Sequence, residues 1–187
     1  MIVIVNGAPG SGKTTFEEFL IRIVGSYCGY MISTIDFVKQ LASQCGWDGT
    51  KDAKNRKFLS DLKDLLTQWD NVPYNKVKEA INHYSTELEC LGLEPKIHGL
   101  FLVDSREPEE IEKFKKDLGA ITVLVRRSDA EQQSTSNHAD ANVLEYKYDY
   151  EINNNSTLND LYDEAINFLN AIEYGGDKAD IWREHAI

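Results

Sequence analysis

The sequence predicts an α/β domain in three layers, a mostly parallel five-stranded sheet flanked by helices. Two observations carry that expectation. Residues 2–5, 100–103 and 121–125 are short apolar runs without polar alternation, as strands covered on both faces require. Stretches of helical periodicity separate them, and strands alternating with helices pack as parallel sheets joined by crossovers. A chain of 187 residues suffices for one such domain and is too short for two comfortable ones, so a single domain over 1–187 is expected.

The first strand, Ile2, Val3, Ile4 and Val5, runs directly into Gly7-Ala8-Pro9-Gly10-Ser11-Gly12-Lys13-Thr14, which fits G-x-x-x-x-G-K-[ST] at every fixed position. Phe16, Phe19, Leu20, Ile23 and Val24 then recur at helical spacing, up to Gly25 or Gly29. A short β-prone run over 30–35 gives the second strand, followed by Asp36 and a helix carrying Phe37, Val38 and Leu41. After a turn at 47–50, Phe58, Leu59, Leu62, Leu65, Leu66 and Trp69 mark one face of a helix over about 52–69. Pro73 opens the next helix, whose stripe is Val77, Ile81, Tyr84, Leu88 and Leu91. Both stripes are expected to face the core. The third strand, over 100–103, precedes a helix marked by Ile111, Phe114 and Leu118, and the fourth strand covers 121–125. Residues 126–141 are polar and read as a loop or lid, 148–152 as a last strand, and Leu158, Leu161, Ala165, Phe168, Leu169 and Ile172 as a final helix.

The glycine motif has a definite chemistry. Glycines let backbone N–H groups converge on phosphate oxygens, and the helix that follows points its positive end at the same anion. Lys13 is placed to reach the β and γ phosphates of a nucleotide, Thr14 to set its hydroxyl on Mg²⁺, and Thr15 to contact the α-phosphate. Ligands of parallel sheets bind beyond the carboxyl ends of the strands. That edge gathers the loop from Gly7 to Thr15 with Asp36 and Lys39, Asp104 and Arg106, and Arg126 and Arg127.

Phosphoryl transfer depends on positioning and charge neutralisation, so a phosphate cradle, a metal-linked acid and several cations point to it. Asp104, directly after a strand, has the placement of an acid that holds Mg²⁺ through water or contacts the substrate, and stands too far before the helix near Pro108 to cap it directly. Arg106 is a planar donor suited to phosphate, or else the ion-pair partner of Glu109 or Glu110. Asp36 reads either as a substrate contact or as a helix N-cap. Arg56, flanked by Lys54 and Lys57, reads equally as substrate contact or solvated charge. The expected activity is ATP-dependent and Mg²⁺-requiring, a small-molecule kinase in which Lys13, Arg106 and Arg126 stabilise the transferring group. A nucleotide-binding regulator or slow NTPase without a second substrate, and a kinase for a non-nucleotide acceptor, stay open.

Composition narrows the partners. With 31 acidic and 20 basic residues the net charge is -11, which disfavours extended binding to a nucleic-acid backbone and leaves room for a small anionic substrate. The opening apolar run is far shorter than a membrane span or a signal peptide, so a cytoplasmic protein is expected. Cys28, Cys45 and Cys90 have no C-x-x-C spacing and read as reduced, mostly buried thiols.

The loop Gly-Ala-Pro-Gly-Ser-Gly-Lys resembles that of adenylate-kinase-like nucleoside monophosphate kinases. Beyond it the chain is similar to phage-type deoxynucleoside monophosphate kinases and the related phosphomevalonate kinases, through Asp36-Phe37-Val38-Lys39, Arg56-Lys57-Phe58-Leu59 and Val103-Asp104-Ser105-Arg106. The similarity continues in Val125-Arg126-Arg127, Ser136-Asn137-His138-Ala139-Asp140 and Asn153-Asn154-Asn155-Ser156-Thr157-Leu158. The resemblance implies that Lys39, Arg56 and Arg106 hold the acceptor phosphate, and the domain is expected to carry a helical acceptor-side region over about 36–92. It further implies that Arg126 serves the nucleotide phosphates, that the Asn154 region borders the adenine, and that the acceptor is a (deoxy)nucleoside monophosphate.

Overall fold

The computed structural model describes residues 1–50, 52–133 and 143–174. Five strands, β1 (Ile2–Asn6), β2 (Gly29–Ser33), β3 (Leu100–Asp104), β4 (Ile121–Arg126) and β5 (Tyr150–Asn153), form one sheet in the order β2-β3-β1-β4-β5. Every pairing is parallel. The register matches Ser33 to Asp104, Asn6 to Leu124 and Arg126 to Asn153, so all five strands end along one edge.

The helices are α1 (Lys13–Val24), α2 (Asp36–Gln44), α3 (Ala53–Asp70), α4 (Val72–Cys90), α5 (Pro95–His98), α6 (Pro108–Leu118), α7 (Ser128–Gln133) and α8 (Leu158–Ala171). Alternate side chains of a strand face opposite ways, and the core divides accordingly. Val3 and Val5 of β1 pack with Phe16 and Leu20 of α1 and with Phe168 and Leu169 of α8. Ile4, between them in sequence, packs on the other face with Val77 of α4 and with Ile111 and Phe114 of α6. Aromatic pairs tie each layer: Phe16 to Phe168 at 5.9 Å between centroids, and Tyr74 to Phe114 at 4.7 Å.

The last helix starts on a capping box in which Thr157 Oγ1 accepts from Asp160 N–H and Asp160 accepts from Thr157 N–H. Thr157→Ala removes the acceptor for one orphan N–H, and a loss of about 1 kcal/mol in urea unfolding is the expected result. No loss would mean that α8 is held by packing alone.

Three expectations change. The stripe on α3 is not core: none of its residues is buried, Leu59, Leu62 and Leu66 are half-covered, and Phe58, Leu65 and Trp69 are 38%, 64% and 83% exposed. The helix packs on α2 and α4 and lies outside the layer that touches the sheet. Cys45 and Cys90 are exposed and only Cys28 is partly covered, because the first two fall at outward-facing helix ends. Of the lid-like segment expected over 126–141, residues 127–133 contain the short α7, and 134–141 lie outside the described residues. Among the described residues, no helix is long and apolar enough to cross a membrane.

Candidate active site

At the carboxyl edge β1 gives way to the glycine loop. Asn6 is fully buried and ties the start of the loop to the segment after β3: its Nδ2 donates to the Ser105 carbonyl at 3.0 Å, and its Oδ1 accepts from Gly7 N–H at 3.2 Å. Gly7 has no room for a side chain, since a Cβ there would stand 2.4 Å from Ser11 Oγ and 2.6 Å from the Val125 carbonyl. Gly12 holds the left-handed conformation, φ 93°, as the residue before α1, and no side chain caps that helix. The amides of Lys13, Thr14 and Thr15 therefore have no acceptor within the helix and form its positive end.

Lys13 leaves the first turn of α1 and meets the end of β3, where its Nζ lies 2.8 Å from Asp104 Oδ2. Their side chains are 13% and 32% exposed, so the pair is partly shielded. Asp104 is held from behind, since its carbonyl accepts from Thr34 N–H and from Ser33 Oγ. Thr14 is exposed beside this pair and Thr15 half-buried. Asp36 opens α2 and accepts from Ser33 N–H at 2.8 Å, while Lys39 reaches it at 3.6 Å. Asp36 thus closes the β2–α2 turn as well as presenting charge. Arg106, half-buried, follows β3 by two residues, and exposed Arg56 lies in the first turn of α3. The loop after β3 is braced by Glu110, which accepts from Ser105 Oγ and pairs with Lys63 of α3 at 3.1 Å.

Arg126 ends β4 within a set of acids. Glu131 of α7 grips its guanidinium through two bonds of 2.9 Å, and Glu151 lies 3.4 Å away. The hydrogen bond and charge of Glu131 raise the pKa of Arg126, and those of Arg126 lower that of Glu131. A cleft of about 410 Å³ opens here, bordered by Arg126, Glu131, Glu151, Asn153 and Asn155. Asn154 does not border this cleft. Its side chain is buried and donates to the Ser11 carbonyl at 2.7 Å. A second cleft, of about 610 Å³, separates α3 from α6 and is lined in part by Lys63, Thr67, Asn71, Glu107 and Lys113.

No protein-family model matches the chain, and no curated protein matches it in sequence. Among solved structures it is similar to the Mycobacterium tuberculosis APS kinase CysC in complex with AMPPNP and APS, at 15% identity and a TM-score of 0.47, over 90% of this chain and 96% of that one. A cysteine-to-alanine mutant of the same enzyme gives 15% identity and a TM-score of 0.45 over the same shares.

Sequence reasoning missed Asn6 and Glu17. Glu17 is 6% exposed on the inner face of α1, one turn beyond Lys13. Burial raises its pKa to about 7; Lys13 acts in the opposite direction, and Asp104 and Glu18 add to the rise. A signal was present, for Glu17 stands four residues after Lys13 and three before Leu20, inside the apolar arc of the helix.

The donor set suits a polyphosphate. Glycine positions free of Cβ atoms, first-turn amides and an ammonium converge on one place, and Ser11 Oγ is buried there without a hydrogen-bond partner. Mg²⁺ commonly takes one or two protein oxygens and completes its shell with phosphates and water. Thr14 and Asp104 form such a sparse set.

Proposed function

We propose that the protein is an ATP-dependent kinase for a small phosphorylated metabolite, with a (deoxy)nucleoside monophosphate as the acceptor the residues favour. The contact that carries this reading is the 2.8 Å pair between Lys13 and Asp104, which sets the loop ammonium against an acid from the adjacent strand. Around it lie further charged groups at the sheet edge, Asp36, Lys39 and Arg106, which suit an anionic second substrate better than a site for water alone.

In this reading the amides of the loop and of Lys13, Thr14 and Thr15 hold the phosphate chain of ATP, as an anion at a helix N-terminus requires. Lys13 exchanges Asp104 for the β and γ oxygens and neutralises charge as the γ-phosphoryl group moves. Thr14 and Asp104 would hold Mg²⁺, which would supply positive charge to offset that of the phosphates. Arg106, with Lys39 and Arg56, orients the phosphate of the acceptor, and the 610 Å³ cleft between α3 and α6 offers room for the rest of the molecule. Arg126 serves the donor phosphates after releasing Glu131, and the side chains of Asn153 and Asn155, which line the 410 Å³ cleft, flank the base of the nucleotide.

The test is ADP release from ATP across a panel of nucleoside monophosphates, phosphorylated isoprenoids, sugars and dephospho-coenzyme A. Release that depends on a monophosphate supports the reading. Release driven only by another acceptor removes the nucleotide part of it, and acceptor-independent hydrolysis identifies an NTPase.

A further inference from the structure

An anion-binding loop turns its N–H groups inward, so some carbonyls must point away from the ligand and find donors elsewhere. For Ser11 that donor comes from across the sheet. Asn154 Nδ2 reaches the Ser11 carbonyl at 2.7 Å in a buried setting, between residues 143 positions apart. Its approach is close enough that a Cβ on Gly12 would lie 2.1 Å from the same nitrogen. Asn154 is itself fixed, because its backbone N–H donates to the Arg126 carbonyl at 2.8 Å. Its neighbours complete a bracket: Asn155 Oδ1 accepts from Ser128 N–H at 2.8 Å, and Asn153 Oδ1 accepts from Asn155 Nδ2 at 2.6 Å.

We infer that Asn154 is a positioning residue for the phosphate loop, acting on the ligand through the Ser11–Gly12 backbone and making no contact with the nucleotide base. The inference deepens the reading of the loop as a polyphosphate site and rests on it. Without the amide donor, the Ser11 carbonyl is left buried and unpaired, and the peptide plane that aligns the following N–H groups loses its restraint. The bracket also ties the loop to the end of β4 and the start of α7.

Two measurements test this. In the ligand-free protein, hydrogen exchange of the Ser11 and Phe16 amides, which bond to the Ala8 and Gly12 carbonyls, is expected to quicken about tenfold in Asn154→Ala, with α6 unaffected. Unchanged exchange at these two amides overturns the inference whatever the ligand proves to be. In titrations, the Kd values for inorganic tripolyphosphate and for ADP are expected to rise by the same factor, about tenfold, a loss fitting one buried hydrogen bond. A loss confined to ADP shows a base contact and overturns the inference. Asn154→Ser keeps a donor on a shorter arm and is expected to recover part of both effects; it also serves if Asn154→Ala folds poorly. Wild-type protein that binds no tripolyphosphate would refute the phosphate reading of the loop, while the exchange result still decides the role of Asn154.

Discussion

Lys13→Ala lowers turnover by a factor on the order of 10³ while the fold remains intact. Removing one preorganised charge from a phosphoryl-transfer site has effects of that order, because no rearrangement of solvent replaces it in time. The stability change is small by comparison. Asp104, the partner left behind, is 32% exposed and can be hydrated, so the lost pair is worth about 1 kcal/mol or less. Steady-state ADP release and thermal unfolding measured on the same preparation separate the two effects. Turnover within tenfold of the parent would sink the kinase assignment, whereas a collapse of the fold would show Lys13 to be structural.

Glu17→Gln stabilises the protein at alkaline pH and has little effect in acid. Burial displaces the Glu17 pKa upward, from 4.5 to about 7. The folded state therefore keeps a proton that the unfolded chain gives up across that window. Stability from this group falls as pH rises from about 4.5 to about 7, and above that range the native protein carries the full penalty of a buried carboxylate. The displacement corresponds to roughly 3 kcal/mol. Glutamine has nothing to ionise, so the variant is expected to gain that amount at pH 8 and to match the parent near pH 4. Urea unfolding at both pH values checks it; equal differences at the two would mean that folding does not displace the Glu17 pKa.

Much of the architecture was legible because parallel strands buried on both faces leave a plain trace. The runs at 100–103 and 121–125 could hardly be anything else, and β3 and β4 lie there within a residue. The amphipathic face of α3 was equally plain and led to the wrong partner. Periodicity tells that one side of a helix prefers cover, but what covers it depends on where neighbouring helices fall; α3 packs on α2 and α4, Leu62 and Leu66 are half-covered, and Trp69 is exposed. The site divides in the same way. Its loop is a local pattern, and Asp104 was readable because it follows a strand. The Asn6 tie to Ser105 and the Asn154 bond to Ser11 each join distant segments, and no spacing in the chain encodes them.

The centre of the sheet has a consequence for how the protein is made. β1 precedes the other strands in the chain yet lies between β3 and β4, with Ile2 opposite Phe101 and Val3 opposite Ile121. During synthesis both of its edges stay open until those partners have left the ribosome, and long-range pairings of this kind are slow to close. The phosphate loop waits longer still, since its last tether arrives with residue 154. A nascent chain arrested before that point is expected to hold a partial sheet with an untethered glycine loop, so that, on the proposed function, nucleotide binding reports the completion of folding.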